Sequence, residues 1–292
     1  MHGSGTIPTV LLCLGSAIAF GAMGIFGKLA YDDGVTVGTL LAVRFAIAAA
    51  LFWILVMVTG RLARLARRDV LIALALGGIG YSAQAGAYFA ALQRIEPGLL
   101  SILLYTFPTM VTVAAIALGR ERFSRRRAAA LVLASAGLVL VLAGAGTGAI
   151  EPLGAALGLS AAAVYTTYIL SSQGIAARVD PLLLSALVCT GAATTLTLVG
   201  VLDGGLATPT PAGFGWLVAI AVVCTVGAVS LFFAGLKRVG PTRASIVSTA
   251  EPVTAVLLAF AVFGESMTLV QLAGGALVIG GVLRVATPGP AG

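Results

Sequence analysis

The chain's polar and aromatic side chains that could meet a ligand recur at helical spacings inside otherwise apolar stretches. Gly77, Tyr81, Gln84 and Tyr88 follow one another at i, i+4, i+7 and i+11, so at about 100° per residue they share one helical face. Ser101, Tyr105, Pro108 and Thr112 repeat that spacing. Tyr165, Tyr168 and Ser172 form a further face, as do Phe20, Gly24 and Gly27, and Thr225, Ala228 and Phe232. Ser245, Thr249 and Pro252 make another, with Ser248 close by. Phenol, hydroxyl and amide groups of this kind bind rather than react. Set in an apolar lining, they suit a substrate with an apolar or aromatic body and a polar head. Each also has a packing reading: Tyr88 lies near a membrane surface where tyrosine belts occur, and Tyr165 with Tyr168 forms a stripe that a core would equally use. Gln84 left alone in hydrocarbon would cost a few kcal/mol, so it bonds a neighbouring helix or faces water.

Charged groups inside apolar segments are sharper signals, because each costs about 2.5–3.5 kcal/mol at a bilayer centre. Glu251 is either a proton-coupling carboxylate or partner for a substrate amine, or a hydrogen-bonding link between helices. Its azimuth, about 100° from the Ser245, Thr249, Pro252 stripe, favours the link. Arg44 and Lys28 are read as snorkelling toward the outer interface, with Arg44 alternatively attracting a carboxylate or pairing with Asp32 or Asp33. Enzyme chemistry lacks its parts. The one histidine is His2, Cys13, Cys189 and Cys224 sit in apolar runs without a neighbouring base, and only one carboxylate lies clearly inside a span. No nucleophile–base pair or metal-ligand set results, and no cofactor is implied.

The elements that carry these residues follow from composition. Of 292 residues, 60% are apolar and 9% charged, and the mean hydropathy is +1.11. A soluble domain carries roughly a quarter charged residues, so lipid is the solvent here. Apolar segments of about 20 residues are expected near 8–30, 36–59, 70–92, 98–119, 127–145, 154–174, 181–202, 213–236, 242–263 and 269–286. The first is too long, and lacks the basic flank, for a cleavable signal. Fourteen Lys and Arg fall in one set of alternate loops and only Arg94 in the other. That bias places both termini in the cytoplasm. The net charge of +7 therefore reads as topology rather than nucleic-acid binding, with Arg61 to Arg68 and Arg120 to Arg127 facing anionic lipid.

A shift of 144 residues lays the second half on the first without a gap. Leu92 to Pro97 falls on Leu236 to Pro241, Ser101 on Ser245, Pro108 on Pro252, Glu121 on Glu265 and Gly137 on Gly281. Halves with an odd number of spans enter the membrane oppositely, the inverted repeat of alternating-access transporters. Units 1–146 and 147–292 are expected. Pro108 and Pro252, one in each half, are the breaker pair near the midplane that marks a substrate site and a point of gating.

The run EPVTAVLLAFAVFGESMTLVQLAGGALVIGG, Glu251 to Gly281, resembles the end of EamA-type members of the drug/metabolite transporter superfamily. The matching features are Glu251-Pro252, Gly264-Glu265, Gln271, and the Gly274-Gly275 and Gly280-Gly281 pairs. Phe107-Pro108 to Gly137 repeats them more weakly, with Phe107 where the second half has its Glu. Within the superfamily the chain is most similar to the YddG-type amino-acid exporters. The resemblance implies an all-α integral membrane protein, ten transmembrane helices forming two inverted five-helix repeats around a central cavity, exporting small metabolites across the bacterial inner membrane. The residues taken toward substrate are Tyr81, Gln84, Tyr88, Ser101, Tyr105, Tyr165, Tyr168, Ser248 and Glu251, with carbonyls freed by Pro108 and Pro252. Neutral or aromatic amino acids are the expected cargo. A drug or quaternary amine, carried with or without protons, is the alternative. Ala276 and Gly280 form a small-residue pair suited to close helix approach within the chain or in a homodimer, so a monomer and a weak homodimer both stand.

Overall fold

The computed structural model describes residues 6–92, 94–95, 97–143, 151–263 and 268–286; His2, Gln93, Glu96, Gly264 and Glu265 lie outside them. The described elements are α1 (Thr6–Asp32), α2 (Val37–Val58), α3 (Arg67–Ala75), α4 (Ser82–Leu92), α5 (Pro97–Leu104), α6 (Phe107–Ala117), α7 (Arg125–Ala143), α8 (Pro152–Ala176), α9 (Pro181–Leu202), α10 (Pro211–Ala221), α11 (Ala228–Val239), α12 (Pro241–Ser248), α13 (Ala250–Phe263) and α14 (Leu269–Ala286). Short π-helical turns, Leu76–Tyr81 and Val222–Gly227, join α3 to α4 and α10 to α11.

Local chemistry sets the ends. Five helices begin on proline, whose missing N–H is not needed there. Glu151, Asp180 and Thr210 cap α8, α9 and α10, accepting from Gly154, Leu182 and Gly213 backbone N–H groups at 3.0, 2.9 and 3.0 Å. α2 and α9 close with the same glycine turn: Arg61 N bonds Val56 O and Gly205 N bonds Gly200 O, each at 3.0 Å. Gly60 and Gly204 take φ of 64° and 63°, a left-handed conformation that glycine adopts without strain. The two turns are 144 residues apart and lie at opposite ends of the bundle. One end gathers Arg61 with Asp180 (3.0 Å), Arg178 with Asp69 (2.8 Å) and Arg127 with Glu121 (3.1 Å). The other gathers Thr36 with the Gly205 carbonyl (2.7 Å), Trp216 with Asp33 (2.9 Å) and Arg94 with Glu151 (3.4 Å).

Eight helices are long and apolar enough to cross a membrane when α3–α4, α5–α6, α10–α11 and α12–α13 are each taken as one broken rod. Of the ten expected spans, α7 and α14 fall outside that set, since α7 opens on three arginines and α14 is short. The outward surface stays apolar, as at Ile79 (71% exposed) and Val58 (79%), which fits lipid contact and not water.

Close packing rests on small residues. α7 and α14 cross where Gly137 and Gly274 each face the other's carbonyl, and Gly281 faces that of Ala130. Ala276 is exposed and nothing lies within 4 Å of a side chain at Gly280, so that pair does not serve packing within the chain. α2 packs on α9, and α1 on α11 and α13. Both proline-broken rods part three residues before the proline, at Tyr105–Thr106 and at Thr249. There Thr106 and Thr249 hydroxyls donate to the carbonyls of Leu103 and Ile246, both at 2.6 Å. The carbonyls that the prolines free lie one turn back from them, at Leu104 and Ser248, next to these bonded ones.

Candidate functional site

Arg44 is the residue that sequence reasoning misplaced. α2 buries the row Leu40, Arg44, Ala48, Phe52 and Val56, spaced i, i+4, so Arg44 points inward and is 2% exposed. It cannot snorkel. Its guanidinium donates from Nε to Thr225 Oγ1 at 2.8 Å, from Nη2 to Tyr81 Oη at 3.2 Å and from Nη1 to Met23 Sδ at 2.8 Å, and its Cζ lies 4.8 Å from the Phe45 ring centroid. Tyr81 ends the first π-helical turn and Thr225 lies in the second. The two positions are 144 residues apart. One side chain thus ties together the two π-helical turns, features that concentrate at functional sites. The signal in the sequence was the i, i+4 row. It was hidden because α2 is apolar on every side.

From Arg44 an arc of rings runs through the bundle. Phe45 meets Tyr81 (centroids 4.8 Å), Tyr81 meets Tyr168 (6.2 Å), Tyr168 meets Tyr165 (6.2 Å), Tyr165 meets Phe107 (4.7 Å) and Phe107 meets Tyr105 (5.7 Å). These are edge-to-face, tilted and stacked pairs at favourable separations. At the far end, the Tyr105 hydroxyl lies beside the Glu251 carboxylate, within interaction reach. Glu251 is also within electrostatic reach of Arg44, Tyr165 and Tyr88. No described carboxylate lies within 4 Å of Arg44, so the two charges face one another without forming an ion pair.

The expected faces divide. Tyr81, Gln84, Tyr88, Ser101, Tyr105, Tyr165, Ser248 and Glu251 are all half-buried. Gln84 makes no hydrogen bond to another described residue. Gly24, one turn from the Gly21 contact with the Glu251 backbone, has nothing within 4 Å of where a side chain would start.

Other positions pack instead. Tyr168 is 6% exposed and lies against Gly80, and Ser172, Thr225, Ala228 and Phe232 are buried. Gly77 abuts the Val188 carbonyl of α9, not a ligand space. The π-helical turn accounts for this, since its extra residue rotates Gly77 away from the face of Gln84 and Tyr88. Pro108 and Thr112 are buried, with Thr112 Oγ1 bonded to the Pro108 carbonyl at 2.8 Å. On the ninth rod, Ser245, Thr249 and Pro252 are buried, and Ser248 with Glu251, three residues apart, is the face that stays accessible. The Ser245, Thr249, Pro252 stripe therefore packs, while Glu251, about 100° away, keeps partial exposure. Tyr88 packs beside Ala91, Ile95 and Leu100, toward the Arg94 end. A surface concavity of about 600 Å³, lined by Arg61, Asp180, Leu182, Leu231, Lys237 and Arg238, lies at the other end and shares no residue with the arc.

The chain's sequence matches the EamA-like transporter family twice, over residues 7–143 and 152–287. It is 27% identical over 293 residues to the uncharacterized transporter YcbK of Bacillus subtilis, covering 96% of this chain and 91% of that protein. It is 29% identical over 197 residues to an uncharacterized transporter of Archaeoglobus fulgidus, covering 68% and 70%. A crystal structure at 20% identity superposes with a TM-score of 0.85 over 96% of this chain and 98% of that one. At that identity the likeness is one of fold.

Proposed function

Because this chain belongs to the EamA-like transporter family, a multi-pass membrane transporter in which small solutes are moved, we propose that its cargo is a neutral or aromatic amino acid. The direction is export across the bacterial inner membrane. The observation that carries this reading is the arc of rings from Tyr81 to Glu251, half-buried at Tyr81, Tyr165, Tyr105 and Glu251, apolar along its rings and polar at its two ends. Tyr81, Gln84, Tyr105 and Tyr165 are taken as contacts for the cargo, with Ser101, Ser248 and Glu251 as polar neighbours and Tyr88 toward the outer end.

Alternating access follows from an inverted repeat. The shared glycine turns of α2 and α9 at opposite ends, the paired π-helical turns and the paired proline breaks support two five-helix halves, with α7 and α14 completing ten spans. The proline breaks, where threonine hydroxyls hold the Leu103 and Ile246 carbonyls, serve as flexing points, and the Leu104 and Ser248 carbonyls they free are polar contacts for the cargo. Both termini are cytoplasmic in this arrangement, with the Arg-rich end of the bundle facing the inner leaflet.

The test is uptake by proteoliposomes of a panel of neutral and aromatic amino acids, a quaternary amine and a nucleotide sugar, each with and without a pH gradient. Saturable amino-acid flux that ignores the gradient is expected of a facilitative exporter. Amine flux that follows the proton gradient would replace this reading with a drug-type exporter in which the Glu251–Tyr105 end of the arc holds the cation.

A further inference from the structure

Deepening the amino-acid reading, on which it rests, we propose that the arc is electrically two-ended and fixes the orientation of a zwitterion. Tyr81, backed by Arg44, receives the substrate carboxylate. Glu251, with Tyr105 and Tyr165, receives its ammonium group.

The argument begins with the Tyr81 hydroxyl. A phenol oxygen can accept and also donates one proton. Arg44 Nη2 occupies the accepting side at 3.2 Å, and no described residue accepts from Tyr81. Its O–H is therefore free on the half-buried side of the ring. Directly behind stands a guanidinium whose bonded partners are a hydroxyl, a phenol and a thioether, none of them negative. A charge buried with neutral partners costs several kcal/mol, and a carboxylate arriving at Tyr81 would compensate it. A hydrogen bond to an anion is also shorter and roughly twice as strong as a neutral one. Arg44 acts here through Tyr81, as a positioning residue.

The opposite end has the complementary sign. Glu251 lies beside Tyr105 and has no cation within ion-pair distance among the described residues. The rings of Tyr105 and Tyr165 border it and can receive an ammonium on their faces. Tyr165 lies within electrostatic reach of both Glu251 and Tyr81, and Arg44 within reach of Glu251, so the two ends are electrostatically coupled. A molecule with only an acid or only an amine would leave one buried charge uncompensated. The site would thus reject each half of its own substrate.

The experiment uses the full chain in proteoliposomes, with phenylalanine flux competed by phenethylamine, which lacks the carboxylate, and by phenylpropionate, which lacks the amine. Wild type is expected to prefer phenylalanine over either by at least about tenfold. Tyr81→Phe keeps the ring and deletes the donor. It should abolish the preference over phenethylamine through KM, with kcat held within about twofold. Arg44→Gln should do the same and Arg44→Lys should restore part of it, while Glu251→Gln should erase only the preference over phenylpropionate. Equal losses toward all three compounds, or preferences unchanged in Tyr81→Phe, overturn the polarity and leave amino-acid transport standing. A wild type that moves no amino acid overturns both.

Discussion

At the residue scale the protein turns on a few polar atoms without protein partners. Gln84 is half-buried and its amide bonds no described residue, so its replacement should separate binding from folding. Gln84→Leu is expected to leave membrane abundance and Tm within experimental scatter while raising KM about tenfold, equivalent to about 1.4 kcal/mol. Initial rates across substrate concentrations would check this. A parallel fall in abundance would instead make the amide structural. The threonines at the proline breaks carry the opposite expectation. Thr106→Val and Thr249→Val each remove a 2.6 Å hydroxyl bond that serves a carbonyl at a broken helix. Each should lower stability by about 1–2 kcal/mol, read as a drop in Tm in detergent.

At the element scale, backbone proximity between helices decides what is tolerated. Gly77 lies so close to the Val188 carbonyl that a side chain has no room, and the displaced atom would be backbone. Gly77→Ala is therefore expected to cost about 3 kcal/mol or to prevent folding. Gly86 on α4 is exposed, with nothing within 4 Å. Gly86→Ala should raise stability by about 1 kcal/mol, because alanine is the better helix former. The contrast between these two glycines in one rod, measured as Tm by thermal unfolding in detergent, tests the α9 crossing directly. Equal effects would mean that the π-helical turn is not seated on α9.

At the scale of the whole molecule, the bundle has two chemically distinct ends, one collecting Arg61, Arg127 and Arg178 with their acid partners. The orientation proposed above can be read by labelling from one side. Cys13, Cys189 and Cys224 are buried, so an impermeant maleimide should leave the parent protein unlabelled in intact cells. Arg64→Cys should label only after permeabilisation, and Asp203→Cys in intact cells. The reverse pattern would invert the proposed topology. Lateral contacts between copies have a defined place to be sought. The Ala276 and Gly280 face of α14 is not used within the chain, whereas Gly137, Gly274 and Gly281 are.

Hydropathy alone determined that this chain lives in lipid, because 9% charged residues cannot cover a water-facing surface. The offset of 144 residues also anticipated the paired breaks at Pro108 and Pro252, since these depend on local backbone chemistry that proline imposes wherever it stands. Which face of each helix looks inward was decided only by tertiary structure. In a soluble helix the polar side reveals the orientation. In lipid, α2 is apolar all round, and Arg44 could be assigned inward only once α9 and the two π-helical turns were seen to enclose it. The same is true of Glu251. Its azimuth follows from helical periodicity, but which side of α13 is buried depends on how that helix is turned against α1, where Gly21 meets the Glu251 backbone.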